Sequence, residues 1–331
     1  MDSILQLGID LILFLQSLGE WLLLPMKTFT FIGNEEFFLF IAPLIYWCVD
    51  AGLGLRVGLA LMVSSGLNAA LKFAFHGPRP YWYSTEVQTY SAEASFGAPS
   101  GHAMNSTTIW GRLAVGVQRK WFWWVAIALI FLIGVSRLYL AVHFPHDVLL
   151  GWLFGALLLL GLLALEKRLT PRIMRMRSTE KILWAFGASL VMILIGAGTA
   201  LLITAINWQM PADWVTKAIQ AVPGGEPPNP FSLDGLITSA GAFFGLALGA
   251  VLLFDRGGFE PRGPAWQLAL RFLVGLAGVM AIRYGLKAIF PEGEALLPYF
   301  LRYVRYAAIG VWVTGGAPFV FIRLKLAKSK S

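Results

Sequence analysis

The feature that most limits how this chain can fold is its series of long apolar runs. Runs of 18 or more residues with few charges recur along the 331-residue sequence, and each can cross a bilayer core of about 30 Å as a helix. Hydrophobic residues make up 57% of the chain and charged residues 13%, against about 45–50% and about 25% in soluble domains. We therefore predict an all-α, polytopic membrane protein and exclude a large soluble helical protein.

The hydropathy pattern predicts nine membrane spans and one stretch that is less clear. That stretch, 3–24, contains Gln6, Asp10, Gln16 and Glu20, so it either crosses the bilayer or lies in the interface as an amphipathic helix. The nine predicted spans are 35–54, 56–76, 100–117, 121–140, 147–166, 182–206, 233–254, 266–290 and 300–322.

Basic residues concentrate in loops that share one face of the membrane if the spans alternate. These segments are 118–120, 167–181, 255–265 and the C-terminal tail. By the positive-inside rule this face is cytoplasmic. The net charge of +8 therefore reflects topology and does not indicate a nucleic-acid partner. We expect a multi-pass protein of the plasma membrane, or of the inner membrane if it is bacterial.

The basic stretch 167–181 is the predicted boundary between two regions of the chain. Residues 1–166 would form one region, 167–181 a cytoplasmic connector, and 182–331 a C-terminal extension of four spans whose role is open. The Pro- and Gly-rich segment 207–232 reads as an irregular external connection. Cys48 is the single cysteine, so no internal disulfide can form.

Three polar clusters interrupt the apolar background. They are 72–80 at the end of one span, 99–102 at the start of the next, and 136–147 between two later spans. The predicted topology brings all three to the non-cytoplasmic face. Ionisable groups in or near spans are costly and tend to mark function.

The first property of these clusters is a binding site for an anion. Lys72, Arg79 and Arg137 supply three cations, and the planar arginine fork suits phosphate oxygens. Pro99 fits the first turn of a helix. Ser100, Gly101 and His102 would then lie at a helix N-terminus, whose free N–H groups favour an anion.

The second property is a pair of histidines suited to nucleophilic and acid–base chemistry. Asp147 follows His143 by four residues, so its carboxylate can hold one ring nitrogen and leave the other free to attack phosphorus. His102 can then protonate the departing alkoxide. Phosphoryl transfer depends mainly on positioning and charge stabilisation, which this set supplies without a metal ion.

The three clusters together resemble a known family signature. The order Lys-x6-Arg-Pro, Pro-Ser-Gly-His and Ser-Arg-x5-His-x3-Asp is identified as that of the type 2 phosphatidic acid phosphatase superfamily, and every position matches. The resemblance covers about residues 1–166. It implies a six-helix catalytic core, with 3–24 as its first helix, and no metal ion or other cofactor. Residues 33–37, with Pro43 and Trp47, are also moderately similar to the sphingosine-phosphate phosphatase branch.

The resemblance also assigns roles to the signature residues. His143 would be the nucleophile, Asp147 its partner and His102 the general acid. The residues that would hold the phosphate are Lys72, Arg79, Ser100, Gly101 and Arg137. His76 and His146 lie off the signature positions, and we expect structural roles for both.

These observations predict hydrolysis of a lipid phosphate monoester or pyrophosphate through a phosphohistidine. The alternative is a lipid phosphotransferase that uses an alcohol or phosphate acceptor. Vanadium haloperoxidases share the signature but are soluble, and a catalytically inactive relative is disfavoured because no signature position is lost.

The predicted partner is a lipid phosphate within the bilayer, entering sideways from the outer leaflet. Tyr81, Trp82 and Tyr83 are aromatic residues that would then lie at the membrane interface. Basic residues near the outer ends of the last two spans would reach lipid headgroups, or else serve a second anion site or a homodimer contact. They are Arg283, Lys287, Arg302 and Arg305.

Overall fold

A computed structural model describes residues 2–224 and 227–330. Across these ranges the chain forms helices and one isolated backbone bridge, between Phe259 and Ser329, with no β-strand. The helices are α1 (Asp2–Ser17), α2 (Leu23–Ile32), α3 (Glu35–Cys48), α4 (Ala51–Phe75), α5 (Pro80–Tyr83), α6 (Gly101–Val117), α7 (Lys120–Tyr139), α8 (Pro145–Arg175), α9 (Ser178–Ala205), α10 (Ala212–Ala221), α11 (Asp234–Phe254), α12 (Ala265–Ile289), α13 (Leu296–Val311) and α14 (Ala317–Arg323). A 3₁₀ turn precedes α2, and a π-helical turn joins α13 to α14. The predicted all-α class is confirmed.

Seven helical segments of the described chain are long and apolar enough to cross a membrane. They correspond to seven of the nine predicted spans. The other two, 35–54 and 100–117, form the shorter helices α3 and α6, of 14 and 17 residues. At 1.5 Å per residue these helices are about 21 Å and about 26 Å long, below the thickness of the bilayer core. The protein is nevertheless a multi-pass membrane protein.

The N-terminal stretch 3–24 does not form one straight helix. The helical segments Ser3–Ser17 and Glu20–Ile32 meet at 92°. Gly19, between them, has φ of 110°, which lies outside the helical region and is open to glycine because it lacks a Cβ. Counting this bent pair as one span gives eight spans.

Two predicted connections are helical. Helix α8 continues through residues 167–175, so most of the predicted basic connector is the end of a long helix, even with Pro171 inside it. The segment 207–232, predicted to be irregular, contains α10, whose strongly amphipathic sequence suits a helix lying on other protein. The predicted domain boundary at 167–181 stays a prediction.

The described chain divides into two compact units, each built from separate stretches of sequence. The first contains the described parts of Met1–Phe37, Leu67–Leu160 and Gly196–Ser232. The second contains Phe38–Gly66, Gly161–Ile195 and the described part of Leu233–Ser331.

In the first unit, α6 is the central buried helix, and α7 and α8 pack against it. Gly151 and Gly155 on α8 allow close approach to the start of α6. A Cβ at Gly151 would lie 2.7 Å from the carbonyl oxygen of Ser100, and one at Gly155 would lie 2.7 Å from that of Met104. This close packing fixes the N-terminus of α6 beside the N-terminus of α8.

The second unit has its own core around Tyr46 and Trp47. The Tyr46 hydroxyl donates to the Thr314 carbonyl at 2.8 Å, and the Trp47 indole donates to the Val313 carbonyl at 2.7 Å.

Among the outer basic residues, Arg302 pairs with Asp234. Arg305 is only 6% exposed. The prediction that it reaches lipid headgroups is wrong, because its side chain is buried in protein.

Candidate active site

The Pro-Ser-Gly-His motif forms the start of α6. Helix α6 begins at Gly101, and Ser100 is its N-cap, since the Ser100 hydroxyl accepts from Ala103 N–H at 3.4 Å. Pro99 therefore precedes the cap, one step earlier than the predicted first helical turn. Ser100 N–H donates to the Asp147 carbonyl at 2.9 Å, which ties this motif to the start of α8. The N–H groups at the start of such a helix favour an anion.

Gly101 lies close to a side chain that the sequence did not single out. A Cβ at Gly101 would be 3.0 Å from Asn68 Oδ1. The Asn68 amide in turn donates to the Pro99 carbonyl at 3.2 Å. Asn68 therefore supports the turn that enters α6, and glycine at position 101 leaves room for it.

His143 lies between α7 and α8 and faces Asp147, as its spacing predicts. His143 Nδ1 is 3.4 Å from Asp147 Oδ2, which also accepts from Phe144 N–H at 2.9 Å. His143 and Asp147 are 1% and 0% exposed. With Nδ1 protonated toward the carboxylate, the lone pair lies on Nε2, which faces Arg79 Nη1 at 3.5 Å.

Burial and the surrounding cations keep the His143 ring unprotonated. Burial lowers the pKa of the His143 imidazole well below its ordinary value, and the positive charges of Arg79, Arg137 and Lys72 lower it further. The ring is therefore neutral near pH 7, which is the form that can act as a nucleophile.

Arg79 is fully buried and is held by backbone carbonyls. Its guanidinium donates to the carbonyls of Ser95 at 2.6 Å, Val142 at 2.9 Å and Phe96 at 3.2 Å. The Ser95 hydroxyl also accepts from Lys72 Nζ at 2.7 Å. The loop around residues 93–96 thus brings Lys72 and Arg79 together.

Glu93 lies among the predicted phosphate-binding cations, and the sequence did not identify it. Its carboxylate is 2.5 Å from Arg137 Nη2 and 3.7 Å from Arg79 Nη2. Burial alone would raise the pKa of the Glu93 carboxyl, but Arg79 and Arg137 outweigh burial and hold the pKa well below its usual range. Glu93 is therefore an anion that pairs with the same guanidinium groups a phosphate would use.

Arg137 has a second neighbour that was not predicted. Its Nη1 donates to the Thr30 hydroxyl at 3.5 Å, and Thr30 is hydrogen bonded to Ser136 at 2.8 Å. Arg137 Nε has no partner among the described residues. The sequence does contain a signal for Glu93, because it is an acidic residue between two motifs that carry basic residues. It contains no comparable signal for Thr30.

The histidines differ in their surroundings. His102 lies in the first turn of α6, and its Nε2 is buried with no hydrogen-bond partner in the described part of the chain, so this nitrogen has no competing bond within the protein. His76 packs edge-on against Trp208, with ring centres 5.0 Å apart. His146 Nε2 is 3.2 Å from Asp147 Oδ1, a buried oxygen that has no hydrogen-bond partner among the described residues.

The aromatic residues expected at the membrane interface are inside the protein. Tyr81 and Trp82 are 2% and 0% exposed. The Tyr81 hydroxyl donates to the Glu93 carbonyl at 3.0 Å. The interfacial role predicted for these two residues is therefore wrong, because α5 packs against α10.

Two family descriptions match the chain. Residues 53–171 match the PAP2 superfamily, and residues 237–329 match the PAP2 superfamily phosphatase, transmembrane extension. The first match contains all eight predicted site residues. The second lies within the predicted C-terminal extension.

The chain is also similar to curated relatives and to one solved structure. Glucose-6-phosphatase 2 from Homo sapiens is 25% identical over 91% of this chain and 91% of its own length. Glucose-6-phosphatase 3 from Bos taurus is 29% identical, but this match spans 60% of the chain and about six tenths (61%) of the relative. A transmembrane PAP2-type phosphatidylglycerolphosphate phosphatase from Bacillus subtilis aligns with TM-score 0.44 and 25% identity, over 54% of this chain and 90% of that one. The chain belongs to the PAP2 superfamily and carries its transmembrane extension.

Proposed function

We propose that this PAP2 superfamily phosphatase hydrolyses a phosphate monoester through a phosphohistidine at His143. One observation carries the proposal. His143 is held with Nδ1 toward Asp147 and Nε2 toward Arg79, so its free lone pair faces the cations that would bind the phosphate.

The reaction has two steps. His143 Nε2 attacks phosphorus, the N–P bond forms, and the bond from phosphorus to the ester oxygen breaks as His102 gives its proton to the departing alcohol. A water molecule then attacks phosphorus and gives a proton to His102, and the N–P bond breaks to release inorganic phosphate. Arg79, Arg137 and Lys72 stabilise the charge on the phosphoryl oxygens in both steps.

This chemistry needs no metal ion in our proposal. Three cations and a helix N-terminus already provide the positive charge that a metal supplies in other phosphatases. Retention of activity in excess EDTA is the expected result.

The alcohol portion of the substrate has two candidates. A sugar phosphate is favoured by the relative named glucose-6-phosphatase 2, which aligns over 91% of both chains. A lipid phosphate or pyrophosphate is the class predicted from the sequence, and it is favoured by the membrane setting of the site. The loss of the interfacial role for Tyr81 and Trp82 weakens the case for sideways entry of a lipid, so we propose a sugar phosphate as the main substrate.

A substrate panel tests this proposal. Purified protein in detergent with EDTA is given glucose 6-phosphate, a short- and a long-chain phosphatidate, and a prenyl pyrophosphate, and phosphate release is measured. We expect the highest kcat/KM for glucose 6-phosphate. A higher value for a lipid would select the lipid class. Formation of a new phosphate ester from an added alcohol, without release of inorganic phosphate, would indicate a phosphotransferase.

A further inference from the structure

Residues 172–236 lie outside both family matches. Part of this segment nevertheless packs on the loop around residues 93–96, which holds Lys72 and Arg79. The backbone N–H of Asn229 donates to the Ala94 carbonyl at 3.1 Å. Lys217 on α10 donates to the Tyr83 carbonyl at 2.8 Å and pairs with Asp213 at 2.7 Å. These contacts fix α10 beside α5 and the residues around Glu93.

An aromatic cluster attaches the same segment to the loop that holds Arg79. The Trp208 ring lies 5.6 Å from that of Phe96 and 6.3 Å from that of Phe231, and Phe96 and Phe231 are 5.6 Å apart. The Phe96 carbonyl accepts from Arg79. The segment therefore packs against a residue that positions a phosphate-binding cation.

A cavity of about 240 Å³ lies between α10 and this loop. Its walls include Tyr81, Trp82 and Glu93 on one side, and Ala218, Val222 and Pro228 on the other. The indole N–H of Trp82 has no acceptor among the residues described. Glu93 lines the cavity, and its carboxylate also contacts Arg79 and Arg137, so Glu93 lies between the cavity and the cations proposed to bind phosphate.

We propose that this cavity receives the alcohol portion of the substrate and that Ala218 and Val222 set the size of alcohol it accepts. The proposal rests on the phosphatase function proposed above. A phosphate bound at Arg79 and Arg137 displaces Glu93, and the attached alcohol then extends into the space that Glu93 borders. The displaced carboxylate can accept a hydrogen bond from a substrate hydroxyl.

The size and chemistry of the walls point to a compact polyol. At about 30 Å³ for each water molecule, the cavity has room for about eight waters, which suits a monosaccharide and is far too small for a diacylglycerol. Ala218, Val222 and Pro228 give the cavity an apolar wall, while the partly exposed carboxylate of Glu93 supplies an acceptor for hydroxyl groups.

Filling the cavity tests the assignment. We compare Ala218→Phe and Val222→Phe with a control, Ile219→Phe, on the same helix at a residue that is 49% exposed. Each variant is assayed with glucose 6-phosphate and with methyl phosphate, whose alcohol is too small to need the cavity. The two variants that fill the cavity, Ala218→Phe and Val222→Phe, should lose roughly tenfold or more in kcat/KM for glucose 6-phosphate, mainly because KM rises. Methyl phosphate turnover should stay within about twofold of wild type, since steric loss of this kind depends on substrate size.

Each other outcome has a defined meaning. Unchanged glucose 6-phosphate kinetics, or equal losses on both esters in both filled variants, would overturn the pocket assignment. A comparable loss in Ile219→Phe would overturn it too, because that side chain points away from the cavity walls. A wild-type protein that cleaves a lipid phosphate but neither of these esters would overturn the pocket assignment and leave the phosphatase function standing. A wild-type protein that cleaves no phosphate ester of the substrate panel would overturn both.

Discussion

Glu93 competes with phosphate for the arginines in the unliganded site, so removal of its charge should tighten phosphate binding. The Glu93 carboxylate lies 2.5 Å from Arg137 and 3.7 Å from Arg79. A bound phosphate must break these contacts before it can form its own. Glu93→Gln keeps the size of the side chain and removes the charge.

The expected gain in phosphate affinity follows from the contacts between Glu93 and the arginines that phosphate must displace. A hydrogen bond to a charged group contributes about 1.5–3 kcal/mol net. The Glu93 side chain is 28% exposed, so solvent screens part of this interaction and the lower end applies. About 1.4 kcal/mol corresponds to a factor of ten, and we therefore expect inorganic phosphate to bind Glu93→Gln about tenfold more tightly.

The assay is calorimetric titration of inorganic phosphate into the detergent-solubilised protein, which needs no turnover. Glu86→Gln is the matched control, because Glu86 lies on the same loop and is exposed. It should bind phosphate as wild type does. Equal or weaker phosphate binding by Glu93→Gln would refute the reasoning and show that Glu93 holds the arginines in place for phosphate.

Three further predictions concern the nucleophile and the topology. Asp147→Asn should lower kcat about 10²–10⁴-fold, because the amide no longer fixes the ring of His143, whereas the exposed control Asp255→Asn should keep wild-type kcat. Because the pKa of His143 is lowered, the nucleophile stays neutral as the pH falls through 6.5, and protonation of His143 should reduce kcat/KM only well below that value; a loss of kcat/KM above pH 6.5 that is traced to protonation of His143 would contradict this. In a Cys48→Ser background, an impermeant maleimide should label Thr85→Cys on intact cells and Thr170→Cys only after permeabilisation, and the reverse pattern would place the active site in the cytoplasm.

The parts of the site that could be predicted from sequence are those fixed by short spacing. His143 and Asp147 are four residues apart, so a turn leading into a helix brings them together whatever surrounds them. The Pro-Ser-Gly-His motif similarly contains its own N-cap at Ser100. The convergence of the three clusters followed from the alternation of spans, which depends only on hydropathy and the positions of basic loops.

The parts that could not be predicted depend on contacts between distant residues in irregular segments. Glu93 meets Arg137 across 44 positions, and nothing periodic in the loop before α6 reveals that pairing. Lys217 reaches the carbonyl of Tyr83 across 134 positions. Trp82 looks like an interfacial residue by composition, but the docking of α10 against α5 places it in the protein interior.

The most direct test of the account is to trap the phosphorylated enzyme. Glucose 6-phosphate labelled with ³²P is mixed with the purified protein, the reaction is quenched within milliseconds in alkali, where phosphohistidine survives, and the labelled peptide is identified by mass spectrometry. We predict label on His143 in the wild-type protein, more of it in the exposed control Asp255→Asn than in Asp147→Asn, and none in His143→Ala. Turnover without any trapped label, or label on another residue, would contradict nucleophilic attack by His143.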